Sequence, residues 1–467
     1  MLRRPSSKRR EEGHLTQRSE DVLLEDVSLD ELRSALAGTV LGPADPEYDA
    51  ARVCFNALVD RRPAVIARCA GPADVATAFD FARTHDLEVA VRGGGHNPAG
   101  HCVLDGGLVI DLSQLRAVEV DADARIARAE GGSTWLDFDP VTQAHGLVTP
   151  GGVVGSTGVC GLTLGGGIGH LTAQHGLTCD NLVGATLVTP DGTTVRASAD
   201  ENPELLWGLR GAGGNFGVAT ELVYRVHPFD PMVYGGTLFY DVRGDFLAAY
   251  AERVATAPDE ANIEVLLAPG PDGRPEIALE VVWCGDHAAG EKALARLRSL
   301  PGFKRGTLAP FPYQEIQTRN DGLLGHGQQY YLKSGFMNEL SVDAIETIVE
   351  FTGRGGPAFW WTQHMGGATS RVAPDATAFA HRNVLINFGV MYVSPDPATN
   401  EAGIAAVREF YGALEPHMAG FYTNLNDDTE RKIRGNYGES YPRLVELKNR
   451  YDPTNLFRLN ANVRPTV

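Results

Sequence analysis

The stretch VRGGGHNPAG, residues 91–100, constrains the fold of this chain more than any other. A short apolar segment ends at Val91, three glycines follow, and His96 comes directly after them. Glycine lacks a Cβ, so this backbone can approach another molecule closely, and successive N–H groups in such a turn can form an anion-binding nest. The pattern predicts a loop that holds the phosphates of a cofactor and places one imidazole against its reactive end. The alternative is a glycine turn with a histidine beside it.

A second glycine-rich stretch favours the cofactor-binding interpretation. Nine of the nineteen residues from 151 to 169 are glycine, none is charged, and the others include Val, Leu and Ile. A solvated linker would be polar, whereas this segment is expected to pack while its N–H groups stay accessible. A third glycine loop, GAGGNFG, spans residues 211–217. Glycine accounts for 54 of the 467 residues, against a typical share of about 7%. It shows no repeating period, which excludes a collagen-like chain.

Two common nucleotide-binding motifs are absent from the sequence. The Walker motif places Lys-Ser or Lys-Thr after a glycine, and no glycine here is followed by either pair. The Rossmann fingerprint lies between a strand and a helix, but the segment 211–213 follows a predicted helix and precedes a predicted strand. Loops, rather than a single helix N-terminus, are therefore expected to hold the phosphates.

Charge and cysteine usage exclude several classes of function. The formal net charge is −18, so no basic excess is available to displace counterions from a nucleic acid. The six cysteines lack CxxC spacing, which argues against a metal site and against a disulfide framework. No segment approaches the ~20 apolar residues of a membrane span. We therefore expect neither nucleic-acid nor membrane partners. The expected oligomeric state is a monomer or a homodimer.

The first residues differ in composition from the rest of the chain. Residues 1–20 are expected to be a disordered basic tail, because the first 18 residues carry six Lys or Arg against two Glu. The pairs Arg3-Arg4 and Arg9-Arg10 are not followed by an apolar run. No secretory segment is therefore predicted, and the expected location is the cytoplasm.

Hydrophobic periodicity predicts an α+β fold divided into domains. Residues 21–228 are predicted to form a first domain, in which a β-α-β unit over residues 64–92 leads into the His96 loop. Residues 229–414 are predicted to form a second domain, an antiparallel sheet backed by helices. Residues 415–467 are a separate C-terminal segment. The strands predicted for the second domain lie at 233–240, 262–268, 275–283, 357–364 and 384–393.

Six motifs together resemble the berberine bridge enzyme-like flavin oxidases of the vanillyl-alcohol oxidase/para-cresol methylhydroxylase (PCMH) superfamily. They are VRGGGHNPAG, GLVIDLSQL, TGVCGLTLGGGIGHL, GLTCDNL, WGLRGAGGNFGV and YDPTNLFRLNANV, in family order over about residues 57–228 and 420–464. The resemblance implies a PCMH-type FAD-binding domain of two α+β subdomains, closed by the C-terminal segment. It also implies that His96 is bonded to the 8α-methyl carbon of the flavin, a role that suits a neutral imidazole.

The resemblance and the glycine loops together indicate which residues bind FAD. Asn462 resembles the terminal asparagine that the family places near the flavin ring. Arg92 is expected to help the pyrophosphate electrostatically or to form an internal ion pair. The flavin would carry the hydride chemistry while the protein positions it. The full set of expected FAD-binding residues is Arg92, Gly93, Gly94, Gly95, His96, Asn97, Gly100, Thr157, Gly158, Gly161, Leu162, Thr163, Gly165, Gly166, Gly167, Gly169, Gly217, Val218 and Asn462.

Two positions depart from the family pattern. Many relatives link the flavin a second time through a cysteine, but the corresponding position here is Val154, and Cys160 falls six residues later. A single attachment is therefore expected. Many relatives also end a Tyr-x-Asn-Tyr segment with a catalytic tyrosine, where this chain has Leu425. Leucine cannot accept a proton, so the catalytic base is expected to be Tyr422 or His364, or else the substrate needs no strong base.

These observations predict an FAD-dependent oxidoreductase, and more specifically an oxidase that passes electrons to molecular oxygen and forms hydrogen peroxide. The expected donor is a hydroxylated small molecule or a sugar moiety, of the kind found in specialised metabolism. Two alternatives stay open. One is a dehydrogenase with another acceptor, and the other is a flavin-binding protein with altered catalysis, which Leu425 motivates. The ligand cleft is expected between the two domains.

Overall fold

Three β-sheets organise residues 29–426 and 430–467, the part of the chain that the computed structural model describes. The predicted basic tail, residues 1–20, lies outside the described residues. The first sheet has the spatial order β1-β2-β4-β3. Both β2 and β3 run parallel to β4, and the helix between β2 and β3 completes the predicted β-α-β unit. Its strands are β1 (Thr39–Leu41), β2 (Val65–Arg68), β3 (Val89–Arg92) and β4 (Leu108–Asp111).

The second sheet has five antiparallel strands in the order β5-β6-β10-β8-β9. Trp135, Phe138 and Tyr224 are fully buried in its hydrophobic core. The short strands β7 and β11 pair with each other in a separate two-stranded antiparallel sheet. The strands are β5 (Val118–Asp121), β6 (Ile126–Glu130), β7 (Leu147–Val148), β8 (Leu182–Val188), β9 (Thr194–Ser198), β10 (Val218–Arg225) and β11 (His227–Pro228).

The third sheet has seven antiparallel strands in the order β15-β12-β14-β13-β17-β18-β16. Five of them were predicted from the sequence, whereas β15 and β16 were not. The edge strand β15 contains Pro310 and Pro312, which an edge tolerates because it leaves N–H groups unpaired. The strands are β12 (Met232–Asp241), β13 (Ala261–Pro269), β14 (Pro275–Trp283), β15 (Phe303–Pro312), β16 (Gln329–Met337), β17 (Phe359–His364) and β18 (Ile386–Ser394).

Helices cover one face of the seven-stranded sheet and surround the two smaller sheets. The architecture is therefore the predicted α+β fold, with an antiparallel sheet backed by helices. In chain order the helices are α1 (Leu29–Ala35), α2 (Tyr48–Arg52), α3 (Pro72–Thr84), α4 (Trp135–Gln143), α5 (Val159–Leu164), α6 (Thr172–His175), α7 (Pro203–Ala212), α8 (Gly244–Ala255), α9 (His287–Leu294), α10 (Tyr313–Gln317), α11 (Val342–Arg354), α12 (Ala368–Arg371), α13 (Asn400–Leu414), α14 (Glu430–Tyr437) and α15 (Tyr441–Tyr451).

Side-chain alternation gives the seven-stranded sheet two different faces. On β17, Trp360 points toward the helices, where its Nε1 donates to Thr352 Oγ1 of α11 at 2.9 Å. Trp361 points to the opposite face and packs in a cluster with Phe55 and Tyr330. Phe55 belongs to the chain before the His96 loop, so this second face is the one that meets the N-terminal sheets.

The C-terminal segment is anchored through a buried ion pair. The Lys448 ammonium donates to Asp452 Oδ2 at 2.6 Å, and both side chains are completely buried. The same ammonium donates to the carbonyl oxygens of Asn215 and Phe457 at 3.1 and 2.8 Å. Asn215 Oδ1 in turn accepts from the Val463 N–H at 2.9 Å. These contacts hold the C-terminal segment against the 211–217 glycine loop.

The structure also bears on membrane and metal binding. Within residues 29–426 and 430–467, no helix combines the length and apolar character that a membrane crossing requires. In this same part of the chain, no three His, Cys, Asp or Glu side chains form a group that could hold a metal ion. All six cysteines are buried and none is joined in a disulfide.

Candidate functional site

A cavity of about 430 Å³ lies between the glycine loops and the second face of the seven-stranded sheet. The His96 loop and the 151–169 glycine run line one side, which we call the glycine wall. Side chains of β13, β14, β16, β17 and β18 line the other side, which we call the sheet wall. Residues 422–425 and 457–461 also line the cavity. Three distant parts of the chain therefore meet around one space.

In the glycine wall, backbone packs directly on backbone. A Cβ placed on Gly94 would stand 2.5 Å from the amide nitrogen of Gly158, and a Cβ on Gly158 would stand 2.6 Å from that of Gly94. These distances are far below van der Waals contact, so only glycine lets the two loops meet. Gly95 follows with φ +66°, a left-handed conformation that glycine adopts without steric penalty. The two glycine runs thus form one structural unit.

The His96 imidazole lies flat against an aromatic stack. Its ring centroid is 3.8 Å from that of Phe55, and Phe55 stacks in turn on Tyr330 at 4.2 Å. Burial, with a contribution from the neighbouring His326, lowers the pKa of His96 to about 3, so the ring is neutral at pH 7. Its Nε2 has no hydrogen-bond partner within the described residues. An unprotonated ring with an unpartnered nitrogen suits a nucleophile.

Asn56, which the sequence analysis did not single out, ties the His96 loop to the sheet wall. Its Nδ2 donates to the carbonyl oxygens of Pro98 at 2.7 Å and Tyr330 at 2.9 Å. Its Oδ1 accepts from the Tyr330 N–H at 2.9 Å. Asn56 and Tyr330 are 274 residues apart in the chain, so no local pattern around position 56 could have shown this role.

Tyr422 reaches the cavity beside the glycine run. Its hydroxyl oxygen accepts from the Gly167 N–H at 3.0 Å and from Asn424 Nδ2 at 2.9 Å. Burial raises the pKa of Tyr422 above its ordinary value, while these two donors act in the opposite direction. The hydroxyl is therefore protonated at pH 7, with both acceptor positions filled and its own proton available. Leu425 also lines the cavity and offers only an apolar surface.

His364 lies on the other face of the sheet. Successive residues of β17 point to opposite faces, and Gln363 is the one that lines the cavity. The His364 side chain is only 1% exposed, and burial lowers its pKa to about 4. Of the two candidate bases, the structure brings Tyr422 to the cavity and leaves His364 outside it.

The sheet wall carries acidic side chains that the sequence analysis missed. Glu264 on β13 lies opposite Glu280 on β14, and both line the cavity. Arg319 Nη1 donates to Glu280 Oε1 at 3.2 Å. Burial raises the pKa of Glu264 to about 7, with a further contribution from Glu280. The only available signal was an acidic residue in the middle of each of two apolar strands, Glu264 in ANIEVLLAP and Glu280 in PEIALEVVW, whose second residue is also a glutamate.

Comparisons with known proteins agree with this geometry. Residues 63–198 match a family model described as an FAD binding domain, and residues 421–464 match one described as berberine and berberine like. An FAD-linked oxidoreductase of Dictyostelium discoideum is 31% identical over 450 residues, which cover 94% of this chain and 97% of that protein. The chain belongs to the berberine bridge enzyme-like family of FAD-linked oxidoreductases. The predicted family, the enzyme class and FAD as the cofactor are thereby confirmed.

Three further proteins that are similar to this FAD-linked oxidoreductase in sequence or fold have oxidase names. The (R)-6-hydroxynicotine oxidase of Paenarthrobacter nicotinovorans is 30% identical, over 92% of this chain and 97% of that protein. The solved structure of 6-hydroxy-D-nicotine oxidase from Arthrobacter nicotinovorans has a TM-score of 0.83 at 29% identity, covering 92% of this chain and 98% of that one. Xylooligosaccharide oxidase from Myceliophthora thermophila shares the fold, with a TM-score of 0.83 at 24% identity over 94% of this chain and 100% of that one.

The glycine wall of this FAD-linked oxidoreductase fits the cofactor that the family binds. Its loops pack backbone on backbone at Gly94 and Gly158, and the His96 Nε2 beside them has no hydrogen-bond partner in the described part of the chain. The predicted FAD-binding residues that line the cavity are Gly93, Gly94, Gly95, His96, Asn97, Thr157, Gly158, Gly161, Leu162, Gly165, Gly217 and Val218.

The other predicted FAD-binding residues do not line this cavity. Arg92 donates to the carbonyl oxygens of Ala51 and Arg52, and Thr163 Oγ1 donates to the Val159 carbonyl oxygen at 2.7 Å. Arg92 and Thr163 therefore bond to backbone carbonyl groups outside the cavity. Asn462 lines a second cavity, next to Arg464 and Leu459. The remaining members of this group are Gly100, Gly166, Gly167 and Gly169.

Cys160 and Val154 both line the cavity of this FAD-linked oxidoreductase. Burial raises the pKa of the Cys160 thiol to about 12, so the sulfur is protonated at pH 7. A thiol is a much weaker nucleophile than a thiolate. Val154, which the family resemblance aligns with the expected position of a second link, has no reactive atom. Attachment of the flavin at a single residue stays a prediction, and it is compatible with both side chains.

Proposed function

We propose that this FAD-linked oxidoreductase is an oxidase that takes a hydride from a hydroxylated small molecule or a sugar moiety and passes the electrons to molecular oxygen. Hydrogen peroxide is the second product. The observation that carries the proposal is a single cavity shared by the His96 loop, the Tyr422 hydroxyl and the polar sheet wall. The bound flavin would supply the hydride acceptor. The nicotine oxidase relatives support oxygen as the final acceptor.

In this proposal the parts of the chain have separate tasks. Residues 21–228 form a PCMH-type FAD-binding domain, residues 229–414 bind the donor, and residues 415–467 return to the FAD domain. His96 attaches the flavin covalently and is its only link to the chain. The buried Lys448 contacts with Asn215 support the proposed return of the C-terminal segment.

Tyr422 is the proposed proton acceptor for the donor hydroxyl, a role that it fills as the phenolate, after it has lost the proton that it carries at pH 7. The Gly167 N–H and the Asn424 amide both donate to its oxygen, and hydrogen bonds to the charged form favour that form. They would therefore stabilise a phenolate at this position. His364 would have to turn to the other face of β17 to reach the donor, so its variant is the natural control.

The covalent link is tested by acid precipitation. Wild-type protein should keep its flavin after precipitation, and mass analysis should find it only on the peptide that contains His96. His96→Ala should release the flavin, whereas the control His145→Ala, at an exposed position, should retain it. Flavin that washes off the wild type, or an adduct on the Cys160 peptide, would contradict the proposed attachment.

Aerobic and anaerobic assays separate the oxidase from its alternatives. With a panel of alcohols and sugars, an oxidase should bleach the flavin absorbance anaerobically and form peroxide when air is admitted. A dehydrogenase would bleach equally but recover its colour only with an added dye acceptor. A flavin-binding protein with altered catalysis would bleach with none of the donors. Either of these last two results refutes the proposed oxidase.

A further inference from the structure

A row of polar side chains crosses the sheet wall at right angles to the strands. Glu280 on β14 faces Glu264 on β13, and Gln363 on β17 faces Asn387 on β18. The pairing of β13 with β17 places Glu264 beside Gln363. Asn387 Nδ2 donates to Gln363 Oε1 at 2.8 Å. Four adjacent strands therefore contribute one continuous polar row.

Glu264 is the member of this row that lacks a counter-charge. Glu280 is paired with Arg319, whose Nη1 lies 3.2 Å from Glu280 Oε1. Glu264 is 8% exposed, and its Oε1 has no hydrogen-bond partner in the described part of the chain. Among residues 29–426 and 430–467, no Lys, Arg or His side chain forms an ion pair with Glu264. The row therefore carries one uncompensated carboxyl group.

The surroundings of Glu264 make that carboxyl group costly to ionise. Burial raises its pKa to about 7, because the charged form loses hydration without gaining a cation. Its polar neighbours Glu280, Gln363 and Asn262 carry no positive charge. The rest of the sheet wall is apolar or aromatic, with Leu266, Leu332, Phe359, Trp361 and Met391. A positive group in the cavity would remove this cost. A neutral hydroxyl group would donate one hydrogen bond but leave the charge uncompensated.

We propose that Glu264 binds a protonated amine on the donor, so that the preferred substrates are cationic small molecules with an apolar or aromatic body. The ammonium group would take the place of the missing counter-ion. Trp361 and Phe359 line the same wall and would pack on the body of the donor, with a cation–π contribution where a ring face meets the charge. This inference rests on the proposed function, since it names the donor of the same cavity.

The test compares two probes of equal size, benzylamine and benzyl alcohol, titrated into the holoenzyme and followed by the change in flavin absorbance under anaerobic conditions. Wild type should bind benzylamine at pH 7.5 more tightly than benzyl alcohol. Glu264→Gln should weaken benzylamine binding by about 10- to 100-fold, the range expected for a hydrogen bond to a charged group. It should weaken benzyl alcohol binding far less, because the glutamine oxygen can still accept one hydrogen bond, and it should leave the flavin spectrum unchanged. Glu252→Gln, at an exposed position on α8, is the matched control.

Each possible outcome either supports or overturns the proposed amine site. A wild type that binds benzyl alcohol as tightly as benzylamine, or that binds no benzylamine, overturns the inference even if Glu264→Gln fails to fold. Unchanged benzylamine affinity in Glu264→Gln also overturns it. If neutral alcohols then yield peroxide, the proposed oxidase stands without the amine site. If instead Glu264→Gln loses benzylamine binding but no donor ever bleaches the flavin, the amine site stands and the proposed oxidase fails.

Discussion

The glycine wall and the sheet wall enclose one cavity, but they are built from different parts of the polypeptide. The glycine wall is held together by backbone contacts, because Gly94 and Gly158 meet without any side chain between them. The sheet wall is made of side chains, with Glu264 and Trp361 projecting from neighbouring strands. A backbone surface suits a cofactor of constant shape, while a side-chain surface can change from one relative to another without disturbing the loops. If the proposed function is right, the cofactor and the donor are recognised by separate parts of the chain.

The largest effect expected from this difference is on Gly94. Gly94→Ala should abolish flavin binding, because the new Cβ would meet the Gly158 backbone at 2.5 Å and neither loop can yield without reshaping the wall. Gly412→Ala is the control, since a Cβ there meets no atom within 4 Å. Flavin content per chain, read from the absorbance ratio of the purified proteins, is the measurement. A yellow Gly94→Ala protein would show that the glycine wall tolerates side chains.

The next prediction concerns Tyr422, which lines the cavity and whose hydroxyl oxygen accepts a hydrogen bond from the Gly167 N–H of the glycine wall. Tyr422→Phe should slow anaerobic flavin reduction by about 10²–10⁴-fold, the usual contribution of a general base, with the flavin spectrum intact. His364→Gln should reduce at the wild-type rate, because its ring lies on the helix face of β17. Stopped-flow absorbance measures both rates. If both variants match the wild type, the base lies elsewhere or the reaction needs none.

A third prediction concerns the support behind the glycine wall. Lys448→Met should lower the free energy of unfolding by about 3–5 kcal/mol, because it leaves the buried Asp452 carboxylate without its partner. Glu204→Gln breaks the exposed pair with Arg443, whose side chains are 54% and 38% exposed, and should cost less than about 1 kcal/mol. Chemical denaturation of both variants gives the comparison. Equal losses would show that the Lys448 pair does not anchor the C-terminal segment.

The smallest effect is expected on the sheet wall. A Cβ on Gly389 would stand 2.2 Å from the Trp361 ring, but a ring at the cavity surface can shift where a backbone loop cannot. Gly389→Ala should therefore cost about 1–3 kcal/mol, as overpacking does, and should keep its flavin. Thermal unfolding and flavin absorbance check the two parts. Loss of flavin from Gly389→Ala would remove the distinction between the walls.

Much of the cofactor side could be predicted from the sequence. The glycine runs, His96 and the family motifs are short, continuous segments, and the requirement for glycine is local. The sheet wall could not be predicted in this way. Whether Gln363 or His364 faces the cavity depends on the face that β17 presents, and a shift of one residue would exchange them. Because the sequence does not show which face of β17 meets the cavity, it leaves both Tyr422 and His364 as candidate bases.

The sequence by itself determined the family, the FAD cofactor, the α+β class and the glycine-rich loops with His96 between them. The family and the cofactor follow from the resemblance of six short motifs, and the α+β class from hydrophobic periodicity. The glycine-rich loops follow from residue types over stretches of about twenty residues or fewer, where backbone sterics act locally. Only the tertiary structure decided that Asn56 binds the backbone of Tyr330 across 274 residues. It also decided that Glu264 stands beside Glu280 and, unlike Glu280, has no ion-pair partner among the described residues. Such pairings depend on strand register between distant segments, which packing of the whole chain selects and no single segment specifies.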